Sequence, residues 1–108
     1  MEDVVIKLIS DIIKSIGNPT RLKILHFLKE GEKSVIDVIN FLGMEQSNVS
    51  QHLGVLKNNG LVEFRKVGTK KLYKLKYPEV MDMIKLTNSI LSQQLQESGK
   101  TLKYVKVI

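Results

Sequence analysis

Residues 47–60 read SNVSQHLGVLKNNG, and the interpretation of the whole chain starts from this stretch. On a helix, Val49, Leu53 and Leu56 fall on one side and form an apolar stripe. Asn59-Gly60 ends the helix, because glycine accepts the left-handed conformation. The side chains off the stripe are short and polar, with donors and acceptors that suit base edges in a DNA groove. They are Ser47, Asn48, Ser50, Gln51 and His52. An ordinary surface helix would also have a polar side, so the flanking segments are needed to decide.

Two helices lie directly upstream. Asn18-Pro19 begins the first of them, predicted over Pro19 to Lys29, because asparagine caps a helix and proline fits its first turn. Ser34 and Asp37 form a capping-box-like pair that opens the next helix, which ends at Gly43. The predicted apolar faces are Leu22, Leu25, Phe27 and Leu28 in one helix and Val35, Val38, Ile39 and Leu42 in the other. Two short helices with a tight glycine-containing turn before the polar-faced helix indicate a helix-turn-helix.

The hydrophobic period changes from helical to alternating after Gly60. Leu61–Lys66 and Lys70–Lys76 predict two strands joined by Val67-Gly68-Thr69, which together form a β-hairpin. The hairpin carries six basic side chains, as many as the formal net charge of the whole chain, +6. They are Arg65, Lys66, Lys70, Lys71, Lys74 and Lys76. Such a hairpin repels itself unless an anion lies against it. Protection of an exposed sheet edge by lysines is the alternative.

Two further helices are predicted at the ends of the chain. Residues 4–16 form an amphipathic helix with a wider apolar side than a small core needs, and Pro78 starts a helix that runs to about Ser98. We expect these helices to form a homodimer interface, the alternative being that they pack on the chain's own core. The predicted interface residues are Val5, Ile9, Ile12, Ile84, Ile90, Leu91 and Leu95. The tail, residues 101–108, alternates weakly and predicts a strand, a further dimer contact or a frayed end.

Length and composition limit the class of protein. A chain of 108 residues predicts one domain over residues 1–108, with residues 1–17 and 78–98 as dimerisation helices and residues 19–77 as core and wing. The net charge of +6 and a pI near 9.6 favour an anionic partner such as nucleic acid. The absence of cysteine excludes disulfides and thiolate metal sites. Without a long apolar run or a basic start, we expect a cytoplasmic protein with no membrane contact. No catalytic residue pattern is visible, so no enzyme is expected.

Several motifs resemble one family. Gly17 to Leu25, GNPTRLKIL, is similar to the entry segment of ArsR-type (ArsR/SmtB) winged helix-turn-helix regulators. Ser47 to Leu53, followed by Leu56-Lys57 and Gly60-Leu61-Val62, resembles their recognition helix and its exit. The hairpin matches their wing at Arg65, Gly68, Tyr73 and Leu75. The resemblance extends from about Ile16 to Tyr77, over half of the chain.

The resemblance implies a homodimer that represses transcription, with the recognition helix in the major groove and the wing near the minor groove or backbone. Many members release DNA when they bind metal, but this chain lacks the cysteines of the third helix, where it has Val35–Ile39. No histidine follows His52 to join Asp82 in the last helix, and His26 is expected to be a packed or surface side chain. We therefore expect neither a metal nor a cofactor. Glu45 replaces the usual cap of the recognition helix, and we expect its carboxylate to point away from DNA.

The sequence thus predicts a mainly α winged helix-turn-helix fold with a small β-hairpin. The predicted function is that of a sequence-specific double-stranded-DNA-binding repressor that acts as a homodimer on a near-palindromic site. The candidate readers in the recognition helix are Gln46, Ser47, Asn48, Ser50, Gln51 and His52. The candidate wing and backbone contacts are Arg65, Lys66, Thr69, Lys70, Lys71, Lys57 and Thr20. The alternatives are a winged-helix module that binds protein, or a repressor with a small-molecule inducer or metal bound between subunits.

Overall fold

A computed structural model describes residues 2–99 of the chain. The elements in that range are α1 (Asp3–Ile16), α2 (Pro19–Leu28), β1 (Lys33–Ser34), α3 (Val35–Leu42), α4 (Gln46–Asn58), β2 (Val62–Val67), β3 (Lys70–Leu75) and α5 (Val80–Glu97). All the predicted helices and both strands of the predicted hairpin are confirmed, with ends that differ by one or two residues. The predictions for the tail at residues 101–108 lie outside the described range.

The helix ends form as the sequence predicts. The Asn18 side chain accepts hydrogen bonds from the backbone N–H groups of Thr20 and Arg21 and so caps α2. Ser34 and Asp37 form a reciprocal capping box at the start of α3. At the other end of α3, Gly43 adopts the left-handed conformation with φ of 64°, which lets the chain turn sharply into α4.

The strands form a three-stranded antiparallel sheet in the order β1-β3-β2. β1 was not predicted: Lys33 pairs with Tyr73 and Ser34 with Leu72, so the segment before α3 lies along the hairpin. The predicted three-residue loop of the hairpin was wrong, since Val67 pairs with Lys70 and the turn is Gly68-Thr69. Gly68 has φ of 63°, which a two-residue hairpin turn requires.

The core lies among α2, α3, α4 and the base of the hairpin. Its fully buried side chains are Ile24, Leu25, Val38, Val49, Leu53, Leu56 and Val62. In α2 the prediction was partly wrong. Ile24 is buried although it was not assigned to the apolar face, while Leu22 and Phe27 are only half-buried. The Phe27 ring instead stacks on Phe41 of α3 at a centroid distance of 4.1 Å.

The described part of the chain divides into two compact units, with the boundary between Tyr77 and Pro78. The single domain over residues 1–108 therefore stays a prediction. In α5 the buried side chains are Val80, Met81 and Ile84, in its first two turns. The exposed large apolar side chains of α5 are Met83, Leu86, Ile90 and Leu91. No helix within residues 2–99 is long and apolar enough to cross a bilayer.

Candidate nucleic-acid interface

Helix α4 has a buried stripe and a polar outer side. Val49, Leu53 and Leu56 are buried, as predicted. Because successive residues of a helix are rotated by about 100°, the residues farthest from that stripe are Ser47, Gln51, Gly54 and Asn58. Ser47, Gln51 and Asn58 are exposed, and a Cβ on Gly54 would meet open space. Gly54 and Asn58 were not among the residues predicted from the sequence, although their helical spacing from Ser47 and Gln51 puts them on this side.

One flank of α4 faces the hairpin across a cleft of about 570 Å³. Gln46 and Ser50 line the cleft from the helix, and Thr69, Lys70 and Lys71 line it from the hairpin. The remaining lining residues are Ser34, Val35, Ile36, Ile39 and Tyr73. No acidic side chain is among them, so the cleft is electrostatically suited to an anion. The polar helix and the tip of the hairpin therefore open to the same side.

His52 lies on the other flank of α4 and is not free. Its Nδ1 is 3.1 Å from Nη1 of Arg21. Since a guanidinium only donates, Nδ1 accepts this hydrogen bond and the imidazole is neutral, with its proton on Nε2. Burial, followed by the positive charge of Arg21, lowers the pKa of His52. Of the predicted readers, His52 thus has only its Nε2–H group available for DNA, whereas Asn48 on the same flank is exposed.

On one face of the hairpin, carboxylates neutralise Arg65 and Lys74, whereas Lys70 on the same face has no carboxylate within 4 Å among residues 2–99. Arg65 donates from Nε and Nη2 to the two carboxylate oxygens of Glu32, at 2.8 and 3.0 Å. Lys74 lies 3.6 Å from Glu63 on the neighbouring strand. The hydrogen bond from Arg65 is the main reason why the pKa of Glu32 is lowered. The sequence had suggested six unopposed charges on the hairpin, but Arg65 and Lys74 are paired with acids.

The opposite face of the hairpin keeps its charge. Lys66 and Lys71 lie directly across from each other on β2 and β3, an arrangement of like charges that destabilises a strand pair. The Nζ atoms of Lys71 and of Lys57, from the end of α4, lie 4.8 and 5.4 Å from the centre of the Phe64 ring. Among residues 2–99, no carboxylate lies within 4 Å of these lysines or of Lys70. These four lysines are therefore available for an anionic partner.

Thr20, Glu45 and His26 do not line the cleft between α4 and the hairpin. Thr20 is half-buried, and its hydroxyl lies 3.9 Å from the sulfur of Met44. Glu45 precedes α4 without a side-chain capping bond, and its side chain is exposed. His26 is half-buried in α2. Within the described residues, no group of three or more histidine, aspartate and glutamate side chains could hold a metal ion.

Comparison with known proteins places this arrangement in a family. The family model for "Bacterial regulatory protein, arsR family" matches residues 18–63. The uncharacterised HTH-type transcriptional regulator Rv0081 of Mycobacterium tuberculosis is 32% identical over 98 residues, 90% of this chain and 86% of the relative. The transcriptional activator HlyU of Vibrio cholerae is 38% identical, with 79% of each chain covered. The arsenical resistance operon repressor of Staphylococcus xylosus is 35% identical, with 80% of this chain and 82% of the relative covered. This chain belongs to the arsR family.

Solved structures of arsR-family and related regulators share the fold. The crystal structure of Rv0081 has a TM-score of 0.78 at 30% identity, covering 91% of this chain and 98% of the other. The homodimeric winged helix-turn-helix DNA-binding domain of Mb0332 from Mycobacterium bovis has a TM-score of 0.77 at 28% identity, covering 90% and 93%. The predicted winged helix-turn-helix fold is confirmed. The prediction of a DNA-binding transcriptional regulator is confirmed at the level of the family.

Proposed function

We propose that this arsR-family regulator binds double-stranded DNA as a homodimer and represses transcription from a near-palindromic operator. The observation that carries the proposal is the common cleft, with Gln46 and Ser50 on one wall and Lys70 and Lys71 on the other. A recognition helix in the major groove needs basic side chains beside it, because phosphate contacts fix the helix in register while base contacts select the sequence. The cleft brings both kinds of group to one side of the protein.

Each side of α4 has a different role in this proposal. Ser47 and Gln51, at the centre of the outer side, contact base edges, and an amide such as that of Gln51 suits adenine. Gln46, Ser50 and Asn48 lie on the flanks, where bases and phosphates are both within reach. The lysines at the hairpin tip and Lys57 contact phosphates. Arg65 reaches DNA only if it leaves Glu32, and Thr20 remains a weaker phosphate candidate.

Pairing of two chains is proposed from the exposed apolar surface of α1. Val5 and Ile9 of the predicted interface are exposed by 42% and 43%, and Ile12 is half-buried. Ile90 and Leu91 of α5 are also exposed, Leu95 is half-buried, and Ile84 is buried within the single chain and so contributes less to a partner. Apolar side chains in such numbers indicate a protein interface. Two copies of α4 about 34 Å apart would then enter successive major grooves.

The output and the effector are also proposals. Repression is favoured because the Staphylococcus xylosus relative is named a repressor, while activation is the alternative in view of the name of HlyU. An effector that releases DNA has to act without a cysteine, since the chain contains none. Membership of a family of bacterial DNA-binding regulators favours a location in the cytoplasm.

Selection of bound fragments from host genomic DNA tests the proposal. The purified full chain is expected to enrich a near-palindromic sequence, which is then used in fluorescence-anisotropy titrations. We expect Gln51→Ala to weaken binding to this site by about 1–3 kcal/mol while binding to random DNA is nearly unchanged. The matched control is Ser98→Ala, a polar exposed residue just beyond α5, which should not change either affinity.

Two results would contradict the proposal. Failure to enrich any sequence would favour a winged-helix module that binds protein instead of DNA. An equal loss of affinity on specific and random DNA for Gln51→Ala would remove Gln51 from the base readers.

A further inference from the structure

Arg21 of α2 binds the C-terminal end of α1. Its Nε donates to the backbone carbonyl of Ser15 at 2.6 Å, and its Nη2 lies 3.4 Å from the carbonyl of Lys14. Both carbonyls belong to the last turn of α1, where backbone oxygens have no partner within the helix. The positive guanidinium also interacts favourably with the negative end of the helix dipole.

The same guanidinium binds the recognition helix. Nη1 of Arg21 donates to Nδ1 of His52 in α4 at 3.1 Å. Beside this contact, Val55 and Asn59 at the end of α4 line a cleft of about 280 Å³ together with Asp11, Ser15 and Arg21. Helices α1, α2 and α4 therefore meet at one planar group, whose N–H bonds point in fixed directions.

We propose that Arg21 is a positioning residue that links the orientation of α1 to that of α4 through His52, and so sets the spacing of the two recognition helices in the dimer. The inference rests on the proposed function, in which α1 forms part of the dimer interface and α4 enters the major groove. A change of one base pair in half-site spacing moves the second site by about 3.4 Å and rotates it by about 36°. A dimer whose α4 is held rigidly rejects such a change, whereas a looser α4 tolerates it.

A purely local role makes a different prediction. If Arg21 only capped α1, its loss would lower the stability of the protein but would leave the preferred spacing unchanged. The informative quantity is therefore the ratio of affinities for the selected operator and for versions with one base pair added or removed between the half-sites. Overall affinity is not decisive, because any destabilising change can lower it.

The experiment compares wild type, Arg21→Ala and Arg21→Lys on these three operators. We expect wild type to prefer the native spacing by about tenfold or more, and the preference to fall to about threefold or less in Arg21→Ala. Arg21→Lys should be intermediate, because an ammonium group can bind Ser15 or His52 but lacks the planar fork that binds both. Lys23→Ala, an exposed residue on the same helix, is the matched control and should keep the wild-type ratio.

A double-mutant cycle with His52→Ala tests whether Arg21 acts on α4 through His52. If Arg21 acts through His52, Arg21→Ala combined with His52→Ala should lose no more spacing preference than the stronger single variant. The inference is overturned if the losses of spacing preference from the two substitutions multiply in the double variant. It is also overturned if both Arg21 variants keep the wild-type ratio of affinities for native and altered spacing. Neither result would contradict the proposed function. If Arg21→Ala does not fold, Arg21→Lys and the His52→Ala comparison decide the result. Failure of wild type to bind any selected operator would instead refute the proposed function.

Discussion

Gly54 in the third turn of α4 is an unfavourable helix residue at a half-buried position where an added Cβ would meet open space. Glycine in a helix interior is about 0.5–1 kcal/mol less favourable than alanine, so we expect Gly54→Ala to raise the free energy of unfolding by about that amount. The added methyl group faces the same side as Ser47 and Gln51, so specific DNA affinity should fall. Urea unfolding and anisotropy titration measure the two effects. A more stable variant with wild-type affinity would show that Gly54 lies outside the interface.

The lowered pKa of His52 predicts that the folded protein becomes less stable at acid pH. Its pKa in the folded state is lowered by burial and by Arg21, so the folded protein holds the neutral imidazole more strongly than the unfolded chain does. The unfolded chain then binds more protons as the pH falls below about 6.5, the ordinary histidine value. The stabilisation is complete above that pH and disappears as the pH falls through the lower folded-state pKa.

We expect the free energy of unfolding of wild type, measured by urea titration, to fall between pH 7.5 and 5. In His52→Gln the free energy of unfolding should decrease less over the same pH range, because the contribution of His52 is removed. The matched control is His26→Gln, in which the fall assigned to His52 persists. An identical pH dependence in wild type and His52→Gln would contradict the assignment.

At the scale of single elements, the hairpin has a neutralised face and a charged face. Lys70 and Lys74 lie on the same face of β3, but Lys70 is at the tip and lines the cleft, whereas Lys74 lies beside Glu63. A lysine that contacts a phosphate releases a counterion when DNA binds, so its removal reduces the dependence of affinity on salt. We expect Lys70→Ala to weaken binding to all DNA and to lower the slope of log affinity against log salt by roughly one. Lys74→Ala, the matched control, should change the slope less, and equal slopes for the two variants would count against contact at the tip.

The sequence predicted each helix and the hairpin because these depend on local signals. Asn18-Pro19, the Ser34–Asp37 pair and Gly43 end or begin helices through contacts within a few residues. β1 was missed because two residues are too short to show alternation, and its pairing with β3 joins segments far apart in sequence. The pairs Arg65–Glu32 and Arg21–His52 could not be predicted for the same reason, although they decide which candidate side chains are free.

At the scale of the whole molecule, the exposed apolar side chains of α1 predict association. We expect the full chain to sediment as a dimer, and Ile9→Asp to raise the dissociation constant of the dimer roughly tenfold or more, because a carboxylate would be buried in the interface. Ile36→Asp on α3 is the matched control: it also changes an exposed isoleucine, but at a residue outside the predicted interface. Sedimentation equilibrium measures both. A monomeric wild type, or equal dissociation in both variants, would contradict a dimer formed through α1.

Ser34 is both the last residue of β1 and the N-cap of α3, so the strand that pairs with the middle of β3 and the start of α3 share one residue. The middle of β3 cannot move away from α3 without breaking its pairing with β1 or the cap of α3. Only the turn and the last residue pairs before it are free to adjust to a groove of different width. The DNA therefore has to deform more than the hairpin when the two come together. We expect operators with flexible pyrimidine–purine steps under the hairpin to bind more tightly than stiff operators with the same contacted bases.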